Sequence, residues 1–317
     1  MIAIESINIF KLKERIFVES FDLAIAYTWE YDKELVLLIE KVFHSLGLKT
    51  FLISDFNLDE VCERVEDNSI HFKALLDRAS DEDAKYLCMP KILSRKGTYI
   101  INPIKKTLIA TDKAKVYRKL KKLKIRTPYS YIIPSYNENS DFLVEPSIIL
   151  KLGIPFVIKP ATFSGGGQAV FMNANDINDI SSARQDIPQD KFLLQKMIYP
   201  PLNGRRRLWF RCYWFFGNAF PVWWDDQTHI YNNISKVDYK KFRIYKLVSV
   251  TRKLAQISSL DYFSTEATID EKNNFILIDY INDQCDFRLK SNHADGVPDR
   301  IVKFFIKNMA RKIQKLK

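Results

Sequence analysis

The stretch of sequence that decides the fold is IPFVIKPATFSGGGQ, which covers residues 154–168. An apolar run predicts a buried strand over residues 154–159 that ends at Lys159, and a glycine-rich loop follows it. Glycines let backbone amides approach a ligand, and successive amides form a concavity that binds anions. A lysine at the strand end adds a positive charge for phosphate. By itself the stretch is equally typical of a glycine-rich turn beside a surface lysine, and it matches neither the Walker loop nor Gly-x-Gly-x-x-Gly.

A second stretch, residues 266–283, carries carboxylates. Residues 275–278 are four consecutive apolar residues, which indicates a strand buried on both faces, and the strand runs into Asp279. Glu266 lies on the preceding strand of the same predicted hairpin, so the two carboxylates come close together. Each unpaired buried charge costs roughly several kcal/mol, and a divalent cation removes both costs. Oxygen ligands alone favour Mg²⁺ or Mn²⁺ over zinc. A salt bridge, for instance to Arg288, or simple solvent exposure would explain the same residues.

Together the two stretches are more specific than either alone. A cationic phosphate cradle and an oxygen-only metal site are what the chemistry of magnesium-bound ATP requires, because the metal bridges terminal phosphates and lysines neutralise the remaining charge.

The first hundred residues alternate between strand-like and helix-like segments, which predicts a parallel sheet covered on both faces. Asp32 is the expected N-cap of the first helix, and Gly47 is its expected stop. The predicted elements are strands at residues 23–27, 49–53 and 99–101 and helices at residues 32–46, 58–65 and 72–78.

Later segments predict a basic helix and several strands. Eight of the fourteen residues 113–126 are Lys or Arg, and an apolar stripe persists among them, which indicates an amphipathic helix with a solvated basic face that ends at Thr127-Pro128. Residues 208–216 and 219–224 read as a hairpin around Gly217-Asn218. The other predicted elements are strands at residues 154–159, 192–195, 265–269 and 275–280 and helices at residues 245–257 and from Pro298 onward.

The composition limits the size of the domains, the class of protein and the kind of partner. The 317 residues suffice for two domains, and 47% hydrophobic with 27% charged residues is ordinary for a globular protein. The four cysteines show no paired spacing, and neither a signal peptide nor a membrane span is recognisable, so we expect a cytoplasmic protein with reduced thiols and no membrane partner. The formal charge of +11 favours an anionic partner.

The order of these motifs resembles the ATP-grasp superfamily over about residues 109–290. The superfamily's Asp-Lys at a helix start is matched by Asp112 and Lys113, and its Lys-Pro before a small-residue loop is matched by Lys159 and Pro160. Its adenine segment is matched loosely by LQKMI at residues 194–198, and its late acidic residues are matched by Glu266 and the segment after it.

The resemblance implies an α/β fold in which a parallel-sheet domain, residues 1–108, precedes an ATP-grasp domain, residues 109–317, with a small lid subdomain at 109–191 and a C-terminal subdomain at 192–317. It also implies ATP and Mg²⁺ (or Mn²⁺) as cofactors. The implied phosphate contacts are Lys113 and Lys159, covered by Ser164, Gly165, Gly166 and Gly167. The implied adenine contacts are Gln195, Lys196 and Ile198. The implied metal ligands are Glu266, Asp279 and Asn282.

The sequence departs from the superfamily's pattern at the third metal ligand. The usual gap from the late acid to the asparagine is two residues, whereas Asn282 follows Asp279 by three. Either a bulge realigns Asn282 or Asp283 shares the metal. Two arginines are candidate catalytic groups: Arg211 to stabilise charge on phosphate, and Arg288 to hold a substrate carboxylate or else to pair with Asp283 or Asp286. Four tryptophans (209, 214, 223 and 224) are expected in the core or the pocket wall.

Three functions remain open at this point. The first is an ATP-dependent ligase that joins a carboxylate to an amine through an acyl phosphate, acting on an anionic small molecule or peptide. The second is a kinase on the same fold that phosphorylates a small polyol or phosphorylated metabolite. The third, ranked last, is a basic module that binds nucleic acid or protein without catalysis. A homodimer is compatible with each.

Overall fold

The computed structural model describes residues 18–163 and 169–316 of the chain. Its first part is a four-stranded sheet of order β2-β1-β3-β4 in which all pairs are parallel. The elements of this part are β1 (Glu19–Tyr27), α1 (Asp32–Ser45), β2 (Thr50–Ile53), α2 (Leu58–Glu66), β3 (Ile70–Arg78), α3 (Cys88–Arg95) and β4 (Tyr99–Ile101).

Helices cover both faces of this sheet, as the alternating pattern predicted. On β1, Leu23 and Ile25 pack with α1 on one face, and Ala24 and Ala26 pack with α2 and α3 on the other. Residues 23–26 are wholly buried, which is why the strand reads as a continuous apolar run rather than an alternating one.

Two predictions in this region are wrong. Residues 72–78 are not a helix but most of β3, which lies between β1 and β4. Its burial on both faces hides the period of two, and the run Ala74-Leu75-Leu76 then suits a helix equally well. Asp32 is not the N-cap of α1, which is Tyr31. Asp32 is instead buried in an ion pair with Arg78, while Gly47 ends the helix region with a φ of 71° as expected.

Two helices, α4 (Ile104–Thr111) and α5 (Lys113–Lys122), lead from the parallel sheet to the rest of the chain. The basic helix α5 ends four residues earlier than predicted. Lys124 adopts a positive φ of 54°, and the Ile125 amide donates to the Leu120 carbonyl at 3.0 Å, which closes the helix before Thr127 and Pro128 are reached.

A second four-stranded sheet, which we call the small sheet, follows with the order β5-β8-β6-β7 and antiparallel pairing throughout. Its elements are β5 (Ser130–Ile133), α6 (Pro146–Leu152), β6 (Phe156–Pro160), β7 (Phe171–Ala174), α7 (Ile177–Asp186) and β8 (Phe192–Lys196). The expected subdomain boundary at residue 192 would cut off β8, which hydrogen-bonds to both β5 and β6. We therefore propose that the small subdomain extends to Lys196.

The third sheet, which we call the large sheet, has the order β13-β12-β11-β14-β15 and is also antiparallel. The remaining elements are β9 (Leu202–Asn203), β10 (Arg206–Arg207), β11 (Trp209–Phe215), β12 (Asn218–Trp224), β13 (Tyr231–Asn232), α8 (Lys236–Lys241), α9 (Tyr245–Ser258), β14 (Tyr262–Ile269), β15 (Phe275–Asn282) and α10 (Asp299–Ile313). The predicted hairpin is present, but its turn residues are Phe216 and Gly217, both with positive φ, rather than Gly217 and Asn218.

One apolar core joins the first part of the chain to the large sheet. It contains Phe43 from α1, Phe215 from β11 and Phe305 from α10, all wholly buried. A separate core lies under the small sheet. None of the helices in the described ranges combines the length and apolarity needed to cross a bilayer.

Candidate active site

The small sheet meets the large sheet at Lys113, the first residue of α5. The Asp112 side chain caps this helix by accepting from the Lys115 amide at 2.9 Å, which fixes the direction in which α5 begins. The Lys113 amide donates to the Ala161 carbonyl, just after β6, at 2.8 Å. Its side-chain Nζ lies 3.6 Å from Oδ1 of Asp279 on β15. Lys113 therefore connects the two sheets through its backbone on one side and its side chain on the other.

Lys159, near the end of β6, reaches the same place from the small sheet. Its Nζ donates to the carbonyl of Ile278 at 3.3 Å, directly beside Asp279. Burial lowers the pKa of the Lys159 ammonium and Lys113 repels it, and the attraction of Asp279 does not fully compensate. Two lysines from different elements thus converge on one carboxylate.

Arg211 and Glu266 form the other half of the site, facing each other across β11 and β14. Arg211 binds Glu266 Oε1 through Nη2 and donates to the Tyr231 hydroxyl at 2.6 Å through Nη1. Its guanidinium carbon lies 4.2 Å from the ring centre of Trp224. The second oxygen of Glu266 accepts from Trp209 Nε1 at 3.2 Å. Burial alone would lower the pKa of Arg211, but the neighbouring Glu266 carboxylate raises it well above its usual value.

The pairing of β14 with β15 decides where Asn282 lies. Glu266 is opposite Asp279 and Ser264 is opposite Asn282, so two steps along β14 correspond to three along β15. This irregularity is a β-bulge, and residues two apart on a strand share a face of the sheet. Asp279 and Asn282 consequently lie on the same face of β15, although they are three positions apart in the sequence.

Two polar atoms in the site are buried without a hydrogen-bond partner in the described ranges: Oδ1 of Asp279 and Nε of Arg211. Burial tends to raise the pKa of Asp279, but the attraction of Lys113, Lys159 and Arg211 outweighs it and the pKa is lowered. The carboxylate therefore stays ionised, although its Oδ1 accepts no hydrogen bond from the described residues. A buried oxygen of this kind is available to accept a hydrogen bond from a ligand or to coordinate a cation.

The donor set is suited to a hard divalent cation. Two facing carboxylates, Glu266 and Asp279, and the Asn282 amide provide oxygens of the kind that Mg²⁺ and Mn²⁺ prefer. Within residues 18–163 and 169–316, no three His, Cys, Asp or Glu side chains cluster in a way that could hold a metal. A metal at this place would thus depend on the two carboxylates together with an amide, water or phosphate.

The last part of the site follows β15. Arg288 is bound by two carboxylates, Asp286 at 2.8 Å and Asp295 at 2.9 Å. The hydrogen bonds to these partners raise its pKa. Asp283 is half-buried, and burial raises its pKa, whereas the neighbouring cations lower the pKa of Asp279. Of the two ion pairs expected for Arg288, the structure shows the one with Asp286, and its second partner is Asp295 rather than Asp283. The charge of Arg288 is therefore already balanced within the chain.

The adenine segment lies at the end of β8. Gln195 is only 2% exposed, and its Nε2 donates to the Ser130 hydroxyl at 3.1 Å and to the Tyr280 hydroxyl at 3.5 Å. Lys196 is exposed, and its amide donates to the Tyr129 carbonyl at 2.8 Å. Gln195 is thus held by both sheets through its amide nitrogen.

The remaining predicted contacts are Ile198 and the glycine-rich loop. Ile198 is half-buried directly after β8. The glycine-rich residues Ser164, Gly165, Gly166 and Gly167 lie outside the described residues.

Sequence reasoning missed Tyr231, which supports Arg211 from β13. It assigned Trp209 and Trp224 only to the core or pocket wall, whereas both contact charged groups of the site. The aromatic-rich strands were visible in the sequence. The order β13-β12-β11 that brings Tyr231 to Arg211 was not, because it depends on sheet pairing.

Comparison with known proteins gives matches in structure alone. No family model matches the chain, and no curated protein sequence matches it. A RimK domain ATP-grasp protein from Sphaerobacter thermophilus is 15% identical with a TM-score of 0.59, covering 93% of this chain and 98% of that one. The D-alanine–D-alanine ligase of Bacillus anthracis, complexed with ATP, is 13% identical with a TM-score of 0.60, covering 94% and 99%. The macrocyclase MdnC of Microcystis aeruginosa, bound with its precursor peptide MdnA, is 13% identical with a TM-score of 0.59, covering 92% and 99%. At these identities the likeness shows the fold, which is the ATP-grasp fold that the motifs resemble.

Proposed function

We propose that this chain, which has the ATP-grasp fold, is an ATP-dependent ligase that joins a carboxylate to an amine through an acyl-phosphate intermediate. One observation carries the proposal: Lys113, Lys159 and Arg211 converge on Glu266 and Asp279 where the small and large sheets meet. Three cations against two carboxylates leave a positive surplus in a buried site, which suits a polyphosphate.

The nucleotide would lie between the two sheets. Lys113 and Lys159 would neutralise its phosphates, with residues 164–167 as a cover. Gln195 would accept a hydrogen bond from the adenine amino group through its amide oxygen, and Ile198 would pack on the ring. The amide of Lys196 already donates to the Tyr129 carbonyl, so a backbone contact to adenine would use another group near Lys196.

Glu266, Asp279 and Asn282 would hold Mg²⁺ or Mn²⁺, with Asp283 as the less favourable alternative to Asn282. Such an ion bridges phosphate oxygens and neutralises charge that develops during phosphoryl transfer. The bulge in β15 supports Asn282, because it gives Asn282 and Asp279 the same face of the strand.

Arg211 would supply the main catalytic charge. Its Nε lacks a hydrogen-bond partner in the described ranges, and the Trp224 ring and the Tyr231 hydroxyl fix the rest of the guanidinium. A preorganised donor of this kind stabilises negative charge on a phosphoryl group or an acyl-phosphate oxygen. Arg288 would take part only if a substrate carboxylate displaced Asp286 or Asp295.

The substrates belong to the class that the structural neighbours suggest. One neighbour is named as a D-alanine–D-alanine ligase and another is bound to a precursor peptide, so we propose an anionic small molecule or peptide as the carboxylate partner.

A coupled assay of ADP release tests the reaction. A ligase requires a carboxylate and an amine together, and hydroxylamine in place of the amine should yield a hydroxamate. The Lys159→Ala variant tests the site. It should bind ADP more weakly than the unchanged protein and should produce no ADP in the assay. ADP release with a polyol as the sole acceptor, accompanied by a stable phosphorylated product, would replace the ligase by the kinase. Unchanged nucleotide binding in Lys159→Ala would contradict the site itself.

A further inference from the structure

Three neighbouring helices, α4, α5 and α9, carry an unusual charge pattern, and Lys113 at the start of α5 is their one residue among the proposed nucleotide contacts. Lys and Arg occur twice on α4, six times on α5 and three times on α9, whereas none of the three helices contains Asp or Glu. Because α4 contacts both α5 and α9, the exposed residues of these three helices lie on neighbouring elements, and we call them together the basic face.

Most cations of the basic face are not neutralised within the chain. Lys115 pairs with Asp112, and Lys113 faces the active site. For the others, no carboxylate of the described residues lies within 4.0 Å of the side-chain nitrogens. The exposed members of this set are Lys105, Lys106, Arg118, Lys121, Lys122, Arg252 and Lys253. The face therefore keeps a strong positive field, which attracts an anionic partner.

Aliphatic side chains lie among these cations. On α4, Leu108 is 63% exposed and Ile109 is 50% exposed. Both follow Lys105 by three and four residues, so they share its side of the helix. Leu123, just after α5, is also 50% exposed. Apolar residues flanked by lysines on an outer helix face are typical of a segment that lies on a lipid surface.

The combination distinguishes between possible partners. A nucleic acid would satisfy the lysines but would leave Leu108 and Ile109 in water, because a phosphate backbone offers no apolar contact. A second copy docking through the same face would bring like charges together. A bilayer with anionic lipids satisfies both components, since headgroups attract the lysines and the acyl boundary accepts the aliphatic side chains.

We propose that the basic face binds the surface of a membrane that contains anionic lipids. This association is peripheral and needs no spanning helix, and none of the described helices could span a membrane. The proposal replaces the expectation, drawn from the sequence, that the protein has no membrane partner. The proposal is independent of the reaction that the chain catalyses.

Sedimentation of the full chain with vesicles tests it. Vesicles of phosphatidylcholine with phosphatidylserine should retain the protein at low salt, and vesicles of phosphatidylcholine alone should not. Raising the salt, or replacing two lysines by Lys105→Glu and Lys106→Glu, should weaken binding by about tenfold or more. Leu108→Ser with Ile109→Ser should also weaken it, with the salt dependence retained. Thermal unfolding of each variant checks that it is folded.

The matched control is Lys303→Glu with Lys307→Glu on α10, which changes the charge equally on a helix that packs on α1 and β11. It should reduce binding much less than the α4 pair. Each of three results would overturn the proposal. The first is equal binding to both vesicle types. The second is binding to nucleic acid alone, with an affinity that the Leu108 and Ile109 changes do not alter, and the third is a concentration-dependent dimer that those changes abolish.

Discussion

Two buried arginine–carboxylate clusters in this molecule differ in how completely they are satisfied. Arg78, at the end of β3, binds both oxygens of Asp32 at 2.7 and 2.9 Å, and two further donors reach Gln284 at 3.1 Å and the Cys285 carbonyl at 3.2 Å. Both side chains of the ion pair are at most 4% exposed. This cluster joins the parallel sheet to the segment after β15, and four of the five N–H donors of Arg78 are used within it.

The cluster around Arg211 has the same kinds of groups but leaves atoms unused. Arg211 Nε and Asp279 Oδ1 have no hydrogen-bond partner in the described ranges, and Lys113 lies 3.6 Å from Asp279, longer than a direct hydrogen bond. We propose that the Arg78 ion pair serves the fold, whereas the Arg211 cluster is left open for a ligand. The sequence alone does not separate the two, because each is an arginine and a carboxylate on predicted strands or helices.

The largest expected effect is on the Arg78 cluster. Arg78→Met leaves the buried Asp32 carboxylate without its cation, so we expect the free energy of unfolding to fall by about 3–5 kcal/mol. Denaturant unfolding measures it. Adding Asp32→Leu should recover much of the loss, because replacing both charges removes the unpaired one. The exposed pair Arg126–Asp270 supplies the control, since Arg126→Ala should cost under about 1 kcal/mol.

The next effect is catalytic. Arg211→Gln removes a fixed positive charge from the proposed phosphoryl site, and we expect turnover to fall by about 10²–10³-fold, or roughly 3–4 kcal/mol of transition-state stabilisation. ADP affinity should change far less than turnover. If turnover and ADP affinity fell equally, Arg211 would act in ground-state binding rather than in catalysis.

The third effect is the stabilisation of the protein by ADP and Mg²⁺, which should depend on the Arg211 cluster. At a concentration of ADP and Mg²⁺ about 100 times the dissociation constant, the unfolding free energy should rise by about 2.7 kcal/mol. Asp279→Asn should lose most of this increase. The increase is measured against the unfolding free energy of the same variant without ligand, so that a change in its intrinsic stability does not enter the comparison. Arg126→Ala should keep the full increase. Equal stabilisation of Asp279→Asn would contradict the proposed metal contact.

The smallest effect concerns pH. Burial lowers the pKa of Lys159, so its ammonium loses its proton at a lower pH than a surface lysine does. ADP binding should therefore weaken as the pH rises through that pKa, by up to about 1.4 kcal/mol for each further unit. Lys159→Arg keeps its charge and should move the decline to higher pH. A pH titration of ADP affinity that is identical in the two proteins would exclude Lys159 as the titrating group.

The sequence predicted those parts of the fold that local patterns determine. Two of the four strands of the small sheet, β6 and β8, were predicted from their apolar runs, whereas β5 and β7 were not. The error at residues 72–78 arose where β3 is buried on both faces and its alternation disappears. The end of α5 was also predicted wrongly. The prediction relied on the proline that follows the helix, whereas the helix ends earlier at the positive φ of Lys124, which the sequence does not indicate.

The candidate site was predictable only in part, for a related reason. Glu266 and Asp279 were accessible because one hairpin joins them, and hairpin partners can be read along the chain. Tyr231 and Trp224 meet Arg211 through the order of three strands, which depends on the packing of the whole large sheet. Local sequence carries no record of that order.

The bulge in β15 bears on how distant relatives are recognised. A sequence pattern that fixes the gap between the acid and the asparagine counts residues along the chain. Metal coordination depends instead on where the two side chains lie on the sheet. One extra residue between Asp279 and Asn282 changes the first quantity and leaves the face of the strand unchanged. Searches that allow this gap to vary by one, wherever the neighbouring strand tolerates a bulge, should therefore recover proteins that a strict spacing rejects.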